Sequence, residues 1–220
     1  MKSSVLQNIS YGMYAVGVKD NEKISACIIN SVTQLSSGDK ICLAMSINKN
    51  SYSAYCIRKN GMFTVSVLSE DTPAPIIGVL GLVSGRKTEK LKNIRHKVLA
   101  EGVPVIKENT CCWFLCDLIK SFEINNQYIF VGEIIAGSDA SIGKAMTYEY
   151  YTNVLKGIAP IDTPSYIPPE NTFDKSSGES FKCNLCGYVY DDPNFSFEEL
   201  GENWICPICG TRKSAFVRTK

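Results

Sequence analysis

Two closely spaced cysteine pairs near the end of the chain constrain its folding more than any other feature. The stretch FKCNLCGYVYDDPNFSFEELGENWICPICGTRKSAF contains two C-x-x-C units, each followed at once by glycine. Their four cysteines are Cys183, Cys186, Cys206 and Cys209. A segment of about forty residues is too small to be stable on a hydrophobic core alone, so it needs a metal or a disulfide. The spacing favours a metal in a cytosolic chain.

The four ligands alone leave the identity of the metal open. Each C-x-x-C turn presents two thiolates to one ion. Gly187 and Gly210 can adopt a positive φ after each pair, so that the following N–H groups point at sulfur. Two such turns facing each other form a tetrahedral four-sulfur site, which suits either zinc or iron. A zinc ribbon would be purely structural, whereas an iron site would carry electrons.

The residues around the cysteines distinguish the two metals. Several aromatic side chains should pack a small core beside the site and limit the access of water. They are Phe181, Tyr188, Tyr190, Trp204 and Phe216, together with Phe197. A plain zinc ribbon does not need so many aromatic residues, so this composition favours iron.

The stretches CNLCGYVYDD and NWICPICGTRKSAF resemble rubredoxin, including Pro207 inside the second pair. The resemblance implies one iron bound by the four cysteines and the transfer of one electron at a time. The loop between Cys186 and Cys206 has 19 residues and is shorter than in ordinary rubredoxins. This difference leaves the metal ligands intact and affects only a partner surface on that loop.

The chain divides into two domains at a proline-rich stretch. The sequence APIDTPSYIPPENTFDKSSGES combines prolines with a Ser/Gly/charged segment and predicts a linker over residues 159–180. The first domain is therefore expected over residues 1–158 and the second over residues 181–220. Hydrophobic residues make up 45% of the 220 residues, which is enough for a packed core.

Charge and hydropathy exclude two classes of partner. The formal net charge is +1 and no polybasic block occurs, so we expect no nucleic-acid partner. The longest apolar run, at residues 75–83, is far shorter than the roughly 20 residues that span a bilayer. The first residues lack the apolar core of a signal peptide, which predicts a cytoplasmic protein without a membrane partner.

Six further cysteines and one histidine are expected to have no chemical role. The cysteines lie in apolar, strand-like contexts that favour reduced and buried side chains. They are Cys27, Cys42, Cys56, Cys111, Cys112 and Cys116. The last three are clustered but match no metal-ligand template. His96 lies in a charged stretch, and no catalytic residue is assigned.

The first domain is predicted to be mainly β. Apolar alternation predicts strands near residues 13–19, 24–30, 40–47, 62–68, 114–123 and 128–136. Helices are predicted over residues 51–59, capped by Asn50 or Ser51 and ended by Gly61, and over residues 72–82. This pattern indicates a mostly antiparallel barrel. No G-x-G-x-x-G follows a strand, which excludes a Rossmann domain.

A lone iron cannot accept a hydride, so the first domain should hold a two-electron to one-electron converter, usually a flavin. Two long stretches resemble the flavin reductase or flavoredoxin family: ACIINSVTQLSSGDKICLAMSINKNSYSAYCIRKNGMFTVSVL and GEIIAGSDASIGKAMTYEYYTNVLKGIAPIDTPSY. This resemblance, which extends through VSGRKTEKL and GVPVI, implies an FMN-binding split β-barrel. It also implies a homodimer with the flavin at the subunit interface.

Three segments contain the candidate FMN-binding residues. The segment SINKNSYS ends a strand and opens a helix, whose N-terminus suits a phosphate. Its candidates are Ser46, Ile47, Asn48, Lys49, Asn50 and Ser51. Helix capping by Asn50 and Ser51 is the simpler alternative for this segment.

The other two segments also have simpler alternatives. The segment NSVTQLS would follow the edge of the isoalloxazine ring, unless it is only a polar loop. Its candidates are Asn30, Ser31, Val32 and Thr33. The family match adds Ser84, Gly85, Arg86 and Lys90 as a second phosphate-side segment, although Arg86 and Lys90 could equally be solvated helix charges.

A flavin domain joined to a rubredoxin domain resembles the high-molecular-weight rubredoxins of anaerobes. This implies that NAD(P)H reduces FMN, that FMN reduces the iron, and that the iron serves a flavodiiron protein acting on oxygen or nitric oxide. Two alternatives stay open. The protein could be a flavin or ferric reductase that releases reduced flavin, or a non-enzymatic carrier that does not bind nicotinamide.

Overall fold

The computed structural model describes residues 3–155, 157, 163, 165, 180–184, 188–190, 196–206 and 210–219. The strands are β1 Tyr14–Asp20, β2 Lys23–Ile29, β3 Val32–Gln34, β4 Cys42–Asn48, β5 Met62–Leu68, β6 His96–Val98, β7 Pro104–Ile106, β8 Thr110–Ile124, β9 Gln127–Gly137, β10 Ser180–Cys183, β11 Val189–Tyr190 and β12 Phe216–Thr219. The α-helices are α1 Tyr52–Asn60, α2 Ala74–Leu82 and α3 Tyr148–Asn153. Short 3-10 helices cover Ser3–Asn8 and Lys213–Ala215.

One antiparallel sheet organises the first domain. Seven strands follow in the order β2-β1-β5-β8-β9-β4-β3, and the sheet stays open between β2 and β3. The long strands β8 and β9 form its centre, and β6 and β7 form a separate hairpin. The mainly β, split-barrel fold predicted from the sequence is confirmed. All six predicted strands are present, whereas β3, β6 and β7 were not predicted.

Helix α1 begins and ends where its sequence signals predict. The Ser51 side chain accepts a hydrogen bond from the backbone N–H of Ala54 at 3.0 Å, which satisfies one of the unpaired donors of the first turn. Gly61 ends the helix in the left-handed conformation with φ 73°, and its N–H donates to the Ile57 carbonyl. These two caps hold the N-terminus of α1 next to the end of β4.

Helix α2 begins two residues later than predicted. Pro73 takes the N-cap position with φ −63°, and the buried Thr72 donates its hydroxyl to the Asn109 carbonyl instead of joining the helix. Helix α3 was not predicted at all. Its N-cap is Thr147, whose side chain accepts from the backbone N–H of Tyr150.

Two apolar clusters support the first domain on either side of the sheet. One packs α1 against the strands, with Phe63, Met45 and Phe130 almost fully buried. The other packs α2 and α3 against β1 and β2, with Leu68, Leu80 and Met146 inaccessible or nearly so. The domain is therefore stable through apolar burial without a metal.

The C-terminal domain has a three-stranded antiparallel sheet in the order β11-β10-β12. Its core consists almost entirely of aromatic rings and cysteines. Phe197 stacks on Phe181 at a centroid distance of 4.3 Å and contacts Phe216 at 5.1 Å and Trp204 at 5.7 Å. The predicted aromatic cluster, including Phe197, is confirmed.

The predicted linker lies largely outside the described residues, and so do Gly187 and Pro207. Among the described residues, no helix is long and apolar enough to cross a membrane.

Candidate functional site

A cavity of about 400 Å³ opens between the sheet and all three helices of the first domain. The ends of β2 and β4 and the first turn of α1 form one wall. Helix α2, the loop that follows it and α3 form the opposite wall. The two walls differ in character, since one is mostly polar and the other mostly apolar.

Strand alternation produces the polar wall. Along β4, Leu43, Met45 and Ile47 are buried in the core, so Ser46 and Asn48 lie on the opposite face and line the cavity. Ser46 donates its hydroxyl to the Oε1 atom of Gln127 on β9 at 3.3 Å. Gln127 was not predicted as a site residue, because it lies 81 positions further along the chain.

The N-terminus of α1 continues this wall. Asn50 and Ser51 line the cavity together with Tyr52 and Ser53 of the first turn. The Asn48 side chain fixes the turn by accepting from the Asn50 backbone N–H at 2.8 Å. The positive end of the helix dipole therefore points toward the cavity, as an anionic group requires.

The loop after α2 also lines the cavity, in the same wall as α2. Val83, Ser84 and Gly85 line it. A Cβ atom at Gly85 would lie 2.4 Å from the Ser25 hydroxyl and 2.8 Å from the Tyr52 ring. Only glycine permits this close approach of the loop to β2 and α1.

Aliphatic and aromatic side chains form the apolar wall. Ile77, Gly81 and Leu82 of α2 line the cavity together with Tyr148 and Tyr151 of α3. The two tyrosine rings lie 6.2 Å apart, and burial raises the pKa of Tyr148. Neither tyrosine was predicted as a site residue, because the stretch YEYYTN was read as part of a closing strand and tail.

Lys90 places a buried positive charge beside the cavity. Its side chain lines the cavity, the residue is only 5% exposed, and the ammonium donates to the backbone carbonyls of Ala26 at 2.8 Å and Leu80 at 2.6 Å. Burial lowers the pKa of Lys90, and the neighbouring Cys27 opposes this effect. Through these two hydrogen bonds, Lys90 links β2 to α2.

Two residues of the predicted linker reach the cavity. Thr163 and Ser165 line it, and Asn30 donates its side-chain N–H to the Ser165 hydroxyl at 2.6 Å. Part of the segment after α3 therefore belongs to the walls of the cavity.

The structure brings together some of the predicted site residues and separates others. Those that line the cavity are Asn30, Ser46, Ile47, Asn48, Asn50, Ser51 and Ser84. Among the residues outside its lining, Ser31 donates its hydroxyl to the Ser46 carbonyl, while Val32 and Thr33 pair with β4. Lys49 forms an ion pair with Glu123 at 2.5 Å. Arg86 lies over the Tyr52 and Tyr55 rings, 5.4 Å from each centroid.

The C-terminal domain buries the described members of the cysteine pairs. Cys183 ends β10 with 1% exposure, and Cys206 is fully buried. The backbone N–H of Cys183 donates to the Tyr188 carbonyl at 2.7 Å, and Gly210, with φ 68°, donates to the Cys206 carbonyl at 2.8 Å. These bonds involve only the described residues at the ends of the two cysteine turns. Cys186 and Cys209 lie outside the described residues.

Three of the six upstream cysteines, Cys56, Cys111 and Cys116, are buried as predicted, whereas Cys27, Cys42 and Cys112 are only half-buried. None of the six forms a disulfide in the part of the chain that the structure describes. Burial raises the pKa of Cys56 to about 11 and that of Cys116 to about 12. Both thiols are therefore neutral at physiological pH, which makes them poor nucleophiles and poor metal ligands.

Two protein families match the chain in sequence. Residues 6–159 match the flavin reductase like domain, and residues 180–216 match rubredoxin. The first match contains almost every described residue of the cavity, and the second contains all four paired cysteines.

Individual relatives match either the whole chain or a large part of it. A high molecular weight rubredoxin from Moorella thermoacetica is 30% identical and aligns over 98% of this chain and 99% of its own length. A ferric-chelate reductase (NAD(P)H) from Archaeoglobus fulgidus is 28% identical over 76% of this chain and 98% of its own. The crystal structure of flavoredoxin from Methanosarcina acetivorans superposes with a TM-score of 0.54 at 25% identity, covering 59% of this chain and 68% of that one.

Proposed function

The chain belongs to the flavin reductase-like family and is a homologue of high molecular weight rubredoxin, and we propose that it passes electrons from NAD(P)H through FMN to one iron. Family membership identifies it as a flavoprotein oxidoreductase of electron transport. The observation that carries the finer proposal is that one chain combines an amphipathic cavity of flavin-binding size with two cysteines buried in an aromatic core.

The cavity fits FMN on the chemistry of its two walls. A flavin has a flat aromatic body with one polar edge and, in FMN, a phosphate at the end of its side chain. Tyr148, Tyr151 and Ile77 offer the apolar surface for the body, while Asn30 and Gln127 offer hydrogen bonds for the edge. When bound, FMN supplies the conversion between a hydride donor and a one-electron acceptor.

The first turn of α1 is our candidate for holding the phosphate. Its unpaired backbone N–H groups and helix dipole favour an anion. Asn50, Ser51 and Ser84 surround that end of the cavity with hydrogen-bonding side chains. The sequence also predicts FMN-binding residues that lie outside the cavity lining, and these could act on FMN only through the residues that they contact. They are Ser31, Val32, Thr33 and Arg86.

The four paired cysteines are our candidate iron ligands. Cys183 and Cys206, the described cysteines of the two C-x-x-C units, are inaccessible to water and pack among aromatic rings. A dry aromatic shell limits the access of water to a redox-active metal and is unnecessary for a purely structural zinc ion. This argument supports one iron bound by Cys183, Cys186, Cys206 and Cys209.

Counting electrons gives a direct test of this function. A hydride delivers two electrons, whereas iron(III) accepts only one on becoming iron(II). A chain with one FMN and one iron therefore takes up three electrons, equivalent to about 1.5 NAD(P)H per chain. In an anaerobic titration followed by visible absorbance, both chromophores should bleach by that point. Bleaching of the flavin alone at about one equivalent would contradict the proposal.

We infer a homodimer from the surface of the first domain. The large apolar side chains of Ile119, Phe122 and Ile124 on β8 are between 44% and 55% exposed, and Ile135 on β9 is 49% exposed. Exposed apolar side chains along two neighbouring strands support a contact with a second subunit. A one-electron carrier needs a redox partner, and we propose a flavodiiron protein for this role from the resemblance to high-molecular-weight rubredoxins.

A flavin or ferric reductase is the second candidate, because the Archaeoglobus relative aligns over nearly all of its own length with the first domain. In that case FMN would leave the protein after each reduction. Gel filtration of the anaerobically reduced protein distinguishes the two functions. The electron-transfer proposal predicts that FMN stays with the protein, and the reductase candidate predicts that it elutes separately.

A further inference from the structure

Helix α2 is apolar on every side. Its sequence APIIGVLGL contains no polar side chain. A helix at the surface of a domain normally has one polar face, so a helix that is apolar all round needs partners in every direction. Most of the surface of α2 has partners within the first domain, including Val79, which packs in the apolar cluster beside the sheet.

Two sides of the helix are directed toward the core and toward the cavity. Ile76 and Leu80 pack in the apolar cluster between α2, α3 and the sheet. Ile77 and Gly81 line the cavity. Since successive helical residues are rotated by about 100°, these two pairs occupy neighbouring sectors of the helix surface.

Pro75 and Leu82 lie near the two ends of the helix, within about 20° of each other around its axis. Both are half-buried, and Leu82 in the last turn also lines the cavity. Both contact the C-terminal domain: Leu82 packs against its aromatic core, and a Cβ atom added at Gly210 would lie 3.0 Å from the Pro75 Cβ.

The Pro75 contact involves the cysteine site itself. Gly210 directly follows Cys209, and its N–H donates to the Cys206 carbonyl at 2.8 Å. Gly210 therefore lies against the N-terminal end of α2. The aromatic core lies against the C-terminal end, at Leu82.

From this arrangement we propose that the surface of α2 at Pro75 and Leu82 is the docking site of the C-terminal domain. The domain is seated there with Gly210 against Pro75 and its aromatic core against Leu82. This inference rests on the proposed function and specifies its route. Leu82 packs against the aromatic core and also lines the cavity, so at this end of the helix one side chain separates the docked domain from the flavin cavity.

Docking changes how the electron reaches the iron. One electron leaves the reduced flavin and converts iron(III) to iron(II), and no atom is transferred. A flexible linker of about twenty residues has a root-mean-square end-to-end length of roughly 25 Å. A domain moving freely on it would transfer electrons only after diffusing into contact with the flavin domain. A seated domain holds one geometry and makes the transfer independent of protein concentration.

Pro75→Glu is the decisive variant. A glutamate in the first turn of a helix is favourable for the helix itself, so the first domain should fold normally. The new carboxylate would lose its hydration against Gly210, which opposes docking. Pro75→Ala, which keeps the surface apolar, and Val217→Glu, at a 45% exposed position of the C-terminal domain, are the matched controls.

Two measurements on the full holoprotein test the proposal. Small-angle X-ray scattering should give a larger radius of gyration for Pro75→Glu than for the wild type and both controls. After anaerobic mixing with NADH, the iron phase should slow by roughly tenfold or more in Pro75→Glu, while the flavin phase keeps its rate. Unchanged scattering together with an unchanged iron phase would overturn the docking site.

A failure of the proposed function gives a different result. If the wild-type iron is never reduced by NADH, the electron route is wrong, but scattering still decides whether the domain is seated on α2. If the wild type scatters as two separate bodies, the docking site is wrong, whatever the iron does.

Discussion

The two domains hold their proposed cofactor sites by opposite means. The first domain builds its cavity beside a core that is complete without it, because Phe63, Leu68 and Phe130 are buried in apolar clusters. The C-terminal domain uses its candidate ligands Cys183 and Cys206 as core residues. Loss of the flavin should therefore leave a folded domain, whereas loss of the metal should remove the fold together with the site.

The largest expected effect comes from Cys206→Ala. A four-thiolate metal site contributes on the order of 10 kcal/mol to the folding of such a small domain. The variant should lose its iron and the near-ultraviolet circular dichroism of Trp204. Cys116→Ala, which also removes a fully buried thiol, should cost only about 1–2 kcal/mol in the first domain. A folded C-terminal domain in iron-free Cys206→Ala would contradict the comparison.

Phe197→Ala should come next. This ring contacts four others at centroid distances between 4.3 and 5.7 Å, and truncating a buried Phe costs about 3–5 kcal/mol. In the C-terminal domain this loss should appear as faster removal of iron by a chelator. Phe63→Ala should lower the denaturant midpoint of the first domain and leave the rate of iron loss unchanged. Val217→Ala is the exposed control for the C-terminal domain.

A smaller effect is expected for Lys90→Met. The substitution leaves the carbonyls of Ala26 and Leu80 without their donor, which costs about 1–3 kcal/mol at neutral pH. Burial lowers the pKa of Lys90 below its ordinary 10.5. At a pH between the pKa of the native chain and that of the unfolded chain, Lys90 is therefore protonated in the unfolded chain and neutral in the native chain. The free energy of unfolding of the wild type should rise with pH in that window.

Lys90→Met should lack this alkaline rise, and Lys87→Met, at an exposed position, should keep it. Denaturant titrations at several pH values above neutrality measure the difference. If Lys90→Met and the wild type have parallel profiles, Lys90 does not titrate with folding.

The smallest effect is expected for Lys49→Glu. Lys49 pairs with Glu123 outside the cavity, with both side chains partly exposed, so it acts on an anion only through solvent-screened attraction. FMN affinity, measured by fluorescence titration, should therefore fall only slightly. Lys40→Glu breaks the comparable exposed pair with Glu133 and should have no effect. An equal loss of affinity in both variants would remove Lys49 from the phosphate site.

Local signals made much of the fold predictable from the sequence. Ser51 and Gly61 bracket α1, and period-two alternation locates β4 and β5, because these patterns depend on neighbouring residues only. Helix α3 was missed because the aromatic residues in YEYYTN also suit a strand. Strands as short as β3, β6 and β7 bury too few residues to show an alternation.

The residues that line the cavity were predictable from the sequence where the backbone of their segment runs along the cavity. Asn48, Asn50 and Ser51 line it because the end of β4 and the start of α1 do. Lys49 and Arg86 instead have long side chains whose direction is set by tertiary partners, Glu123 and the Tyr52 and Tyr55 rings. Sequence spacing does not contain that information.

The central claim is that electrons pass from nicotinamide to the flavin and only then to the iron. Rapid anaerobic mixing of the holoprotein with NADH, followed by visible absorbance, tests it most directly. We predict that the flavin band bleaches first and the iron–thiolate bands follow, and that Cys206→Ser keeps only the first phase. Reduction of the iron at an unchanged rate in FMN-free protein, or an iron that never follows the flavin, would contradict the account.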